Sequence, residues 1–223
     1  MKRTNLRIER ERHRREDNKI FILKAAEKVI AQKGYSSATM DDIAEEAQFS
    51  KATLYRYFPS KGELFFEIIV SSLDEMSQKM RNIQEKRMRS DRKLTETIRL
   101  VLKHFEEKEN IARIFFMDKF LMEKLLIFMI GEQDLVSDTE RRYIKKIKAK
   151  RKEVFNSLCE IITSGVDGGE FRRLQAEETV IALESMLYGF YYGRYWRDKR
   201  FSLEKGTDLI YNHFFHGIKK GRK

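Results

Sequence analysis

The chain has 223 residues, a formal net charge of +11, 41% hydrophobic residues and a single cysteine. This hydrophobic content supports a folded core and argues against global disorder, while one cysteine excludes a disulfide framework or a cysteine-based zinc site within the chain. The basic excess predicts a polyanionic partner, either nucleic acid or an anionic membrane surface. With only one proline and 11 glycines, the sequence favours an all-α fold of long helices.

The N-terminal segment 1–18 is dominated by charged residues and predicts a basic arm that becomes helical near Asp17 or Asn18. It lacks the apolar run of a signal peptide, and no later stretch is long and uncharged enough to span a bilayer. We therefore expect a soluble, cytoplasmic protein without membrane contact. From Ile20 to Ile30 apolar residues recur every three or four positions, which predicts an amphipathic helix that ends at Gly34.

Two short helices are predicted next. Thr39 is a favourable N-cap for a helix over Met40–Ala47, and Ser50 is one for a helix over Lys51–Tyr57, with Gln48-Phe49 between them. Such a pair forms either a helix-turn-helix or, more simply, a helical hairpin inside a bundle. The second helix is too short to be stable alone, so we expect it to pack across the first and to leave its outer face free.

Long helices are predicted for the rest of the chain, beginning after the boundary at Pro59 and Ser60. Their ranges are 60–86, 94–105, 110–130, 140–165, 176–197 and 203–219, with a turn at Gly168-Gly169. The total is about nine helices and no convincing strand. The helix over 60–86 is expected to bridge the two parts of the protein.

The segment from Ala25 to Leu64 resembles the DNA-binding domain of the TetR family of transcriptional regulators. The matching features, in order and without insertion, are Ala25-Ala26, Gly34-Tyr35, Thr39, Ile43-Ala44, Ala47, Ser50, Leu54-Tyr55, Tyr57-Phe58, Lys61 and Leu64. The family usually has glycine in the turn, where this chain has Gln48. If φ is positive there, a non-glycine residue costs on the order of 1 kcal/mol. The rest of the chain agrees with the family only in the number and length of its helices.

The resemblance implies a helix-turn-helix DNA-binding domain over residues 19–64 and a ligand-binding and dimerisation domain over residues 65–223, preceded by the basic arm at 1–18. Base contacts are expected from Thr53 and Arg56, and the basic arm could reach into the adjacent minor groove. Contacts with phosphate, or with thymine methyl for the tyrosines, are expected from Thr39, Ser50, Lys51, Tyr55, Tyr57 and Lys61. A homodimer would place two recognition helices in successive major grooves of double-stranded DNA, so the operator should be a near-palindrome.

Aromatic residues and methionines crowd the C-terminal two-thirds, where they form either the core or the lining of a cavity. The resemblance favours a cavity for a small lipophilic effector, such as a fatty acyl compound or an aromatic drug. Its predicted lining is Leu73, Phe105, Phe116, Phe120, Met186 and Tyr192. A polar or anionic group of the ligand could meet His104, Arg113 or Arg194.

The last two helices are expected to form the dimer interface, because small residues recur on one stripe of each and the family dimerises there. The predicted interface residues are Ala182, Gly189, Gly193, Ile210, His213 and Gly217. Tight packing within one chain is the alternative. His213 and His216 lie three residues apart without a third ligand nearby, so no metal site is expected.

These features together predict a DNA-binding transcriptional regulator, a repressor by family habit, that a ligand releases from its operator. An enzyme is disfavoured, since the sequence shows no nucleophile–base constellation, glycine-rich phosphate loop or metal set, and no cofactor is expected. The basic run over 141–152 is expected to be a solvated helix face or, as a second interpretation, a contact for a phosphorylated or CoA-linked ligand. A membrane-surface protein that uses the arm and this run is the remaining alternative.

Overall fold

A computed structural model of the chain describes residues 2–108, 138–197 and 202–218. These residues form eight α-helices and contain no β-strand, which confirms the all-α prediction. The helices are α1 (Lys2–Lys33), α2 (Met40–Glu46), α3 (Lys51–Tyr57), α4 (Lys61–Glu85), α5 (Ser90–Glu107), α6 (Asp138–Asp167), α7 (Ala176–Arg197) and α8 (Leu203–Ile218). The predicted helix at 110–130 lies outside the described residues.

Local capping chemistry sets several helix ends. Gly34, at φ +79°, ends α1 and donates its N–H to the carbonyl of Ile30. The hydroxyl of Ser60 accepts a hydrogen bond from the N–H of Glu63 at 3.1 Å and thereby caps the N-terminus of α4. After α6 the chain turns at Gly169, where φ is +69°. Glycine suits both turns because a left-handed backbone has no Cβ penalty in glycine.

Helix α1 begins at Lys2, so the predicted start near Asp17 or Asn18 is wrong. Arginine and glutamate, which fill this segment, are good helix formers. The ion pair between Arg7 and Glu11, at 3.2 Å, adds support at the favourable four-residue spacing. Every residue from 7 to 17 is exposed. The segment therefore lacks the apolar periodicity on which the predicted start depended.

The chain divides into two compact units, which we call the first unit (Met1–Ser71 with Asn110–Ile147) and the second unit (Ser72–Glu109 with Lys148–Lys223). Helices α4 and α6 contribute residues to both. In the first unit, α1 packs against α2 and α2 against α3. Buried apolar residues of α1 to α4 in this unit include Ile22, Ala26, Val29, Ile30, Ile43, Leu54, Phe58, Leu64, Phe65 and Ile68.

In the second unit, α8 packs against α5 and α7. Its core includes Met80, Leu94, Ile98, Leu158, Ile162, Phe171, Val180, Leu183, Ile210 and Phe214. A Cβ on Gly206 would lie 2.3 Å from the ring of Phe190, so this glycine permits close packing of α8 on α7 within one chain. Full burial of each large apolar side chain stabilises the fold by about 1.5–3 kcal/mol.

The first turn of α5 is capped by a residue far along the chain. Its N-cap, Arg89, makes no side-chain capping bond. Instead, the carboxylate of Glu170 accepts the N–H groups of Ser90 and Asp91 at 3.2 and 3.1 Å. A carboxylate at a helix N-terminus satisfies free donors and interacts favourably with the helix dipole. Glu170 thus fixes the beginning of α5.

Candidate nucleic-acid interface

Helix α2 is anchored by a reciprocal capping box. The hydroxyl of Thr39 accepts the N–H of Asp42 at 3.1 Å, and the carboxylate of Asp42 accepts the N–H of Thr39 at 3.0 Å. The ammonium of Lys33, at the end of α1, contacts the same carboxylate at 2.7 Å. The hydrogen bond from Lys33, followed by those from Thr39, lowers the pKa of Asp42 to about 2. The predicted N-cap is confirmed, and Asp42 is ionised at neutral pH.

The turn between α2 and α3 has positive φ at a residue that is not glycine. Gln48 has φ +54° and is the only non-glycine residue with positive φ in the described part of the chain. Its N–H donates to the carbonyl of Glu45 at 3.0 Å, and the N–H of Phe49 donates to that of Ala44 at 2.9 Å. This pair of bonds is the Schellman pattern, which usually has glycine at the left-handed position. The positive φ at Gln48 is therefore the backbone conformation for which the sequence predicts strain at a non-glycine residue.

Helix α3 is held at both ends and on its inner face. The hydroxyl of Ser50 accepts the N–H of Thr53 at 3.2 Å and lies 2.9 Å from the hydroxyl of Thr53. Leu54 is fully buried, and Phe58 is buried directly after the helix. Helix α3 spans Lys51–Tyr57, the same bounds as predicted. The hydrogen bond between the hydroxyls of Ser50 and Thr53 holds both side chains at the N-terminus of α3.

The outer face of α3 is formed by Lys51, Ala52, Tyr55 and Arg56, which are all exposed. Tyr55 is 41% exposed, a large fraction for an aromatic side chain. Ala52 was not among the predicted DNA contacts, although a small apolar residue can contact the methyl group of thymine. We define these four residues as the outer face of α3. It combines two cations, a phenol and a methyl group, which suits a DNA groove.

Two residues predicted to contact DNA are engaged within the first unit. The ammonium of Lys51 lies 2.8 Å from the carboxylate of Asp41 on α2, and this hydrogen bond raises the pKa of Lys51. The phenol of Tyr57 accepts a hydrogen bond from Nδ2 of Asn18 at 3.1 Å. Tyr57 is therefore only half exposed and ties α3 to α1. Sequence reasoning missed Asn18, since no local pattern relates it to α3.

Lys61 has the most extensive set of internal bonds among the predicted DNA contacts. Its ammonium donates to the carbonyls of Tyr35, Ser36 and Ala38 at 2.8, 3.3 and 2.9 Å. It also lies 4.7 Å from the centre of the Tyr35 ring. An ammonium has three donors, so all three are used to close the connection between α1 and α2. The predicted phosphate contact of Lys61 stays a prediction, and it requires one of these bonds to be exchanged.

Three residues of the predicted ligand lining lie in the described part of the second unit. Phe105 is half-buried, and its ring lies 5.6 Å from that of Tyr188 and 5.1 Å from that of Tyr191. Met186 packs partly buried against the same core, and Leu73 is also half-buried. Phe116, Phe120 and Arg113 lie outside the described residues, as do the side chains of Tyr192 and Arg194.

His104 is one of the buried polar residues of the second unit. Its Nε2 lies 2.8 Å from the hydroxyl of Ser72, whereas its Nδ1 is buried without a hydrogen-bond partner. Burial lowers the pKa of His104 below its ordinary value. The imidazole is therefore neutral at physiological pH, and one of its ring nitrogens is buried without a hydrogen bond.

The predicted dimer residues separate into two groups. Ala182, Gly189, His213 and Gly217 are exposed, and a Cβ on Gly189, Gly193 or Gly217 would meet nothing within 4 Å. Ile210 is only 2% exposed and belongs to the core of the second unit, so its place on a partner-facing stripe is wrong. The reason is that α8 turns Ile210 toward α5 and α7. Two apolar residues that the sequence analysis missed, Ile181 and Leu209, are 56% and 42% exposed on the same two helices.

The basic run over 141–152 lies in the first half of α6. Apart from Ile144 and Ile147, its residues are exposed or half-exposed. Lys150 pairs with Asp74 at 2.8 Å and with Glu153 at 3.1 Å. These features fit the expected solvated helix face. No helix of the described segments is long and apolar enough to cross a membrane, and no group of metal-binding side chains occurs in them.

Comparisons with known proteins agree on one class. Residues 22–68 match the family described as bacterial regulatory proteins, tetR family. Over 191 residues the chain is 27% identical to the HTH-type transcriptional regulator YhgD of Bacillus subtilis, covering 86% of this chain and 90% of that protein. It is 23% identical over 195 residues to the HTH-type transcriptional activator FasR of Mycolicibacterium smegmatis, covering 86% and 78% respectively.

Solved structures extend the likeness to the whole fold. The transcriptional regulator FadR of Bacillus subtilis, in complex with stearoyl-CoA, has a TM-score of 0.68 at 20% identity and covers 89% of this chain and 98% of its own. At this identity the likeness concerns the fold alone. The named relatives are transcriptional regulators and not enzymes.

Proposed function

Because the chain belongs to the TetR family of transcriptional regulators, we propose that it is a repressor that binds a near-palindromic operator as a homodimer and is released by a small lipophilic ligand. The observation that carries this proposal is the outer face of α3. These four exposed side chains belong to a helix that Ser50 caps and that buried Leu54 and Phe58 anchor in the core. Residues 19–64 would form the DNA-binding domain, and residues 65–223 the ligand-binding and dimerisation domain.

The proposed DNA contacts combine base recognition and backbone attachment. Arg56 and Thr53 would contact base edges, Ala52 would meet a thymine methyl, and Lys51 and Tyr55 would contact phosphate. Lys51 would exchange its bond with the carboxylate of Asp41 for one with a phosphate, which is also an oxygen anion. Thr39, Ser50, Tyr57 and Lys61 would add contacts at the edges of this surface.

The test is selection of duplexes from a random DNA pool at physiological salt, followed by sequencing. We expect enrichment of a near-palindrome. Arg56→Ala should lose the enriched sequence, while Arg173→Ala, which removes the same charge from an exposed position of the second unit, should retain it. Retention of DNA without any enriched sequence would refute specific recognition by α3.

The proposed homodimer uses the exposed faces of α7 and α8. Ile181 on α7 and Leu209 on α8 are exposed apolar residues, and a Cβ on Gly189 of α7 would meet nothing within 4 Å. Small residues allow another helix to approach closely, and exposed apolar residues gain by burial. Leu209→Glu should therefore yield monomers in analytical ultracentrifugation and weaken operator binding. A variant that remains dimeric would refute this interface.

The proposed effector is a fatty acyl compound, and the half-buried aromatic group around Phe105 would contact its chain. FadR of Bacillus subtilis, which shares the fold, was solved in complex with stearoyl-CoA. Stearoyl-CoA, stearate and free CoA should be compared for release of the selected operator. Release by the acylated compounds and not by CoA is expected, whereas release by none of them contradicts the acyl proposal.

An activator is the second candidate function, because FasR, which is named as an activator, aligns with 86% of this chain. Transcription in vitro from a promoter that carries the selected operator distinguishes the two. A repressor lowers the transcript and an activator raises it. In either case the ligand requires different affinities for two states, and a complete switch takes about 5.5 kcal/mol.

A further inference from the structure

The exposed beginning of α1 carries a row of arginines on one side. At about 100° per residue, Arg7, Arg10 and Arg14 fall within one sector of the helix, and this sector continues to Asn18 and Phe21. We call the three arginines the arginine stripe. Its members are all exposed.

This side of α1 is the one that meets the helix-turn-helix. Nδ2 of Asn18 donates to the hydroxyl of Tyr57 at the end of α3. The ring of Phe21 lies 6.4 Å from the ring of Phe49 in the turn before α3. Because these contacts fix the rotation of α1 about its own axis, the arginine stripe projects from the same side of α1 as the recognition helix.

The arginine stripe also extends beyond the helix-turn-helix along the axis. With a rise of about 1.5 Å per residue, Arg14 and Arg10 lie about 6 and 12 Å beyond Asn18. A helix with its side chains is about 10–12 Å wide, and the minor groove of B-DNA is only about 6 Å wide. A helical segment therefore suits the phosphate backbone, and the minor-groove insertion expected of an extended arm does not fit it.

We propose that the arginine stripe is a second DNA-contacting surface, which binds backbone phosphates next to the segment contacted by α3. The proposal rests on the DNA-binding function proposed above. Guanidinium groups bind phosphate oxygens through two parallel hydrogen bonds. A row of them on a continuous helix presents these donors in a fixed order, so it adds affinity without adding base specificity.

The same segment of α1 supplies a matched control. Arg12 and Arg15 are exposed like Arg10 and Arg14, but their pair is centred about 140° around the helix from the arginine stripe. R10Q/R14Q and R12Q/R15Q therefore remove the same charge from the same segment and differ only in the face that loses it. Arg7 is left in place because its ion pair with Glu11 supports the helix.

The measurement is the affinity of full-length wild type and both variants for the selected duplex, between about 50 and 200 mM salt. Each phosphate contact makes the slope of log affinity against log salt concentration more negative by about 0.9. R10Q/R14Q removes four arginines from each bound homodimer. We expect it to reduce the magnitude of this slope by between about 2 and 4 and the low-salt affinity by about tenfold or more, with an unchanged order of sequence preference. R12Q/R15Q should keep the wild-type slope.

The outcomes separate this proposal from the proposed function. If the wild-type protein selects no DNA sequence, the proposed function fails. If it selects one, but both variants keep the wild-type salt slope or both reduce it equally, only the proposal for the arginine stripe fails. Loss of binding to phosphatidylserine vesicles in R10Q/R14Q, with duplex binding intact, would assign the stripe to a membrane and overturn the proposal. Circular dichroism of both variants, with wild-type helicity, excludes unfolding of α1 as the cause.

Discussion

The strain at Gln48 permits a stabilising substitution. An L-residue in the left-handed region costs roughly 1–2 kcal/mol, and glycine removes this cost. Glycine also increases the entropy of the unfolded chain, which offsets about 0.5–1 kcal/mol of the gain. Gln48 is exposed, with φ +54°, so little packing is lost with its side chain. The net expectation for Gln48→Gly is a stabilisation of about 0.5–1 kcal/mol.

The control is Gln48→Ala, which removes the same polar group but keeps a Cβ in the left-handed region. Its stability should lie within about 0.5 kcal/mol of wild type. The local readout is hydrogen exchange of the Phe49 amide, because this N–H is bonded to Ala44 across the turn. Its exchange should slow about two- to five-fold in Gln48→Gly, which is the same free energy expressed as an equilibrium constant.

Urea denaturation at fixed protein concentration gives the global readout, with the glycine variant having the higher midpoint. The reasoning is refuted if Gln48→Gly is no more stable than Gln48→Ala, or if the Phe49 amide exchanges faster in it. A glycine variant no more stable than the alanine variant would mean that the backbone at position 48 stores no strain, because both variants lack the glutamine side chain.

Three further substitutions test contacts of the structure. Lys61→Ala removes three hydrogen bonds to the connection between α1 and α2, so thermal denaturation should show a loss of about 1–3 kcal/mol, while wild-type stability would contradict a structural role for Lys61. Glu170→Ala should cost about 1–2 kcal/mol through the lost cap of α5, with Glu170→Gln between it and wild type; equal stability of all three proteins would disprove the cap. Burial lowers the pKa of His104, so the unfolded chain binds its proton more tightly and the stability should fall as the pH drops below the ordinary value of 6.5. His104→Gln should show a smaller loss of urea midpoint between pH ~7.5 and ~5.5, and equal losses would contradict the buried neutral imidazole.

The helix-turn-helix could be predicted residue by residue because its signals are local. Thr39 and Ser50 cap helices within three residues of themselves, and the structure places both caps as expected. The turn at Gln48 was located for the same reason, since the interruption of the pattern marks it. The five long helices after α3, α4 to α8, also agree with their predicted ranges to within a few residues.

The features that were missed depend on contacts distant in sequence or on charge alone. The beginning of α1 is helical without apolar periodicity, so hydrophobic patterning gave no signal there. Ile210 is predicted at the dimer interface because it shares a stripe with small residues of α8, whereas packing on α5 and α7 decides which side of α8 is covered. The three carbonyl bonds of Lys61 join residues more than 20 positions apart, and no local rule relates them.

The cap of α5 by Glu170 has a consequence for the order of folding. Ser90 and Glu170 are 80 residues apart, and the entropy of closing such a loop must be offset before the bond can form. The first turn of α5 should therefore close only after the end of α6 has docked, even though most of α5 can form earlier from local interactions. The Ser90 and Asp91 amides would then gain protection late during refolding, and they would report on assembly of the second unit as a whole.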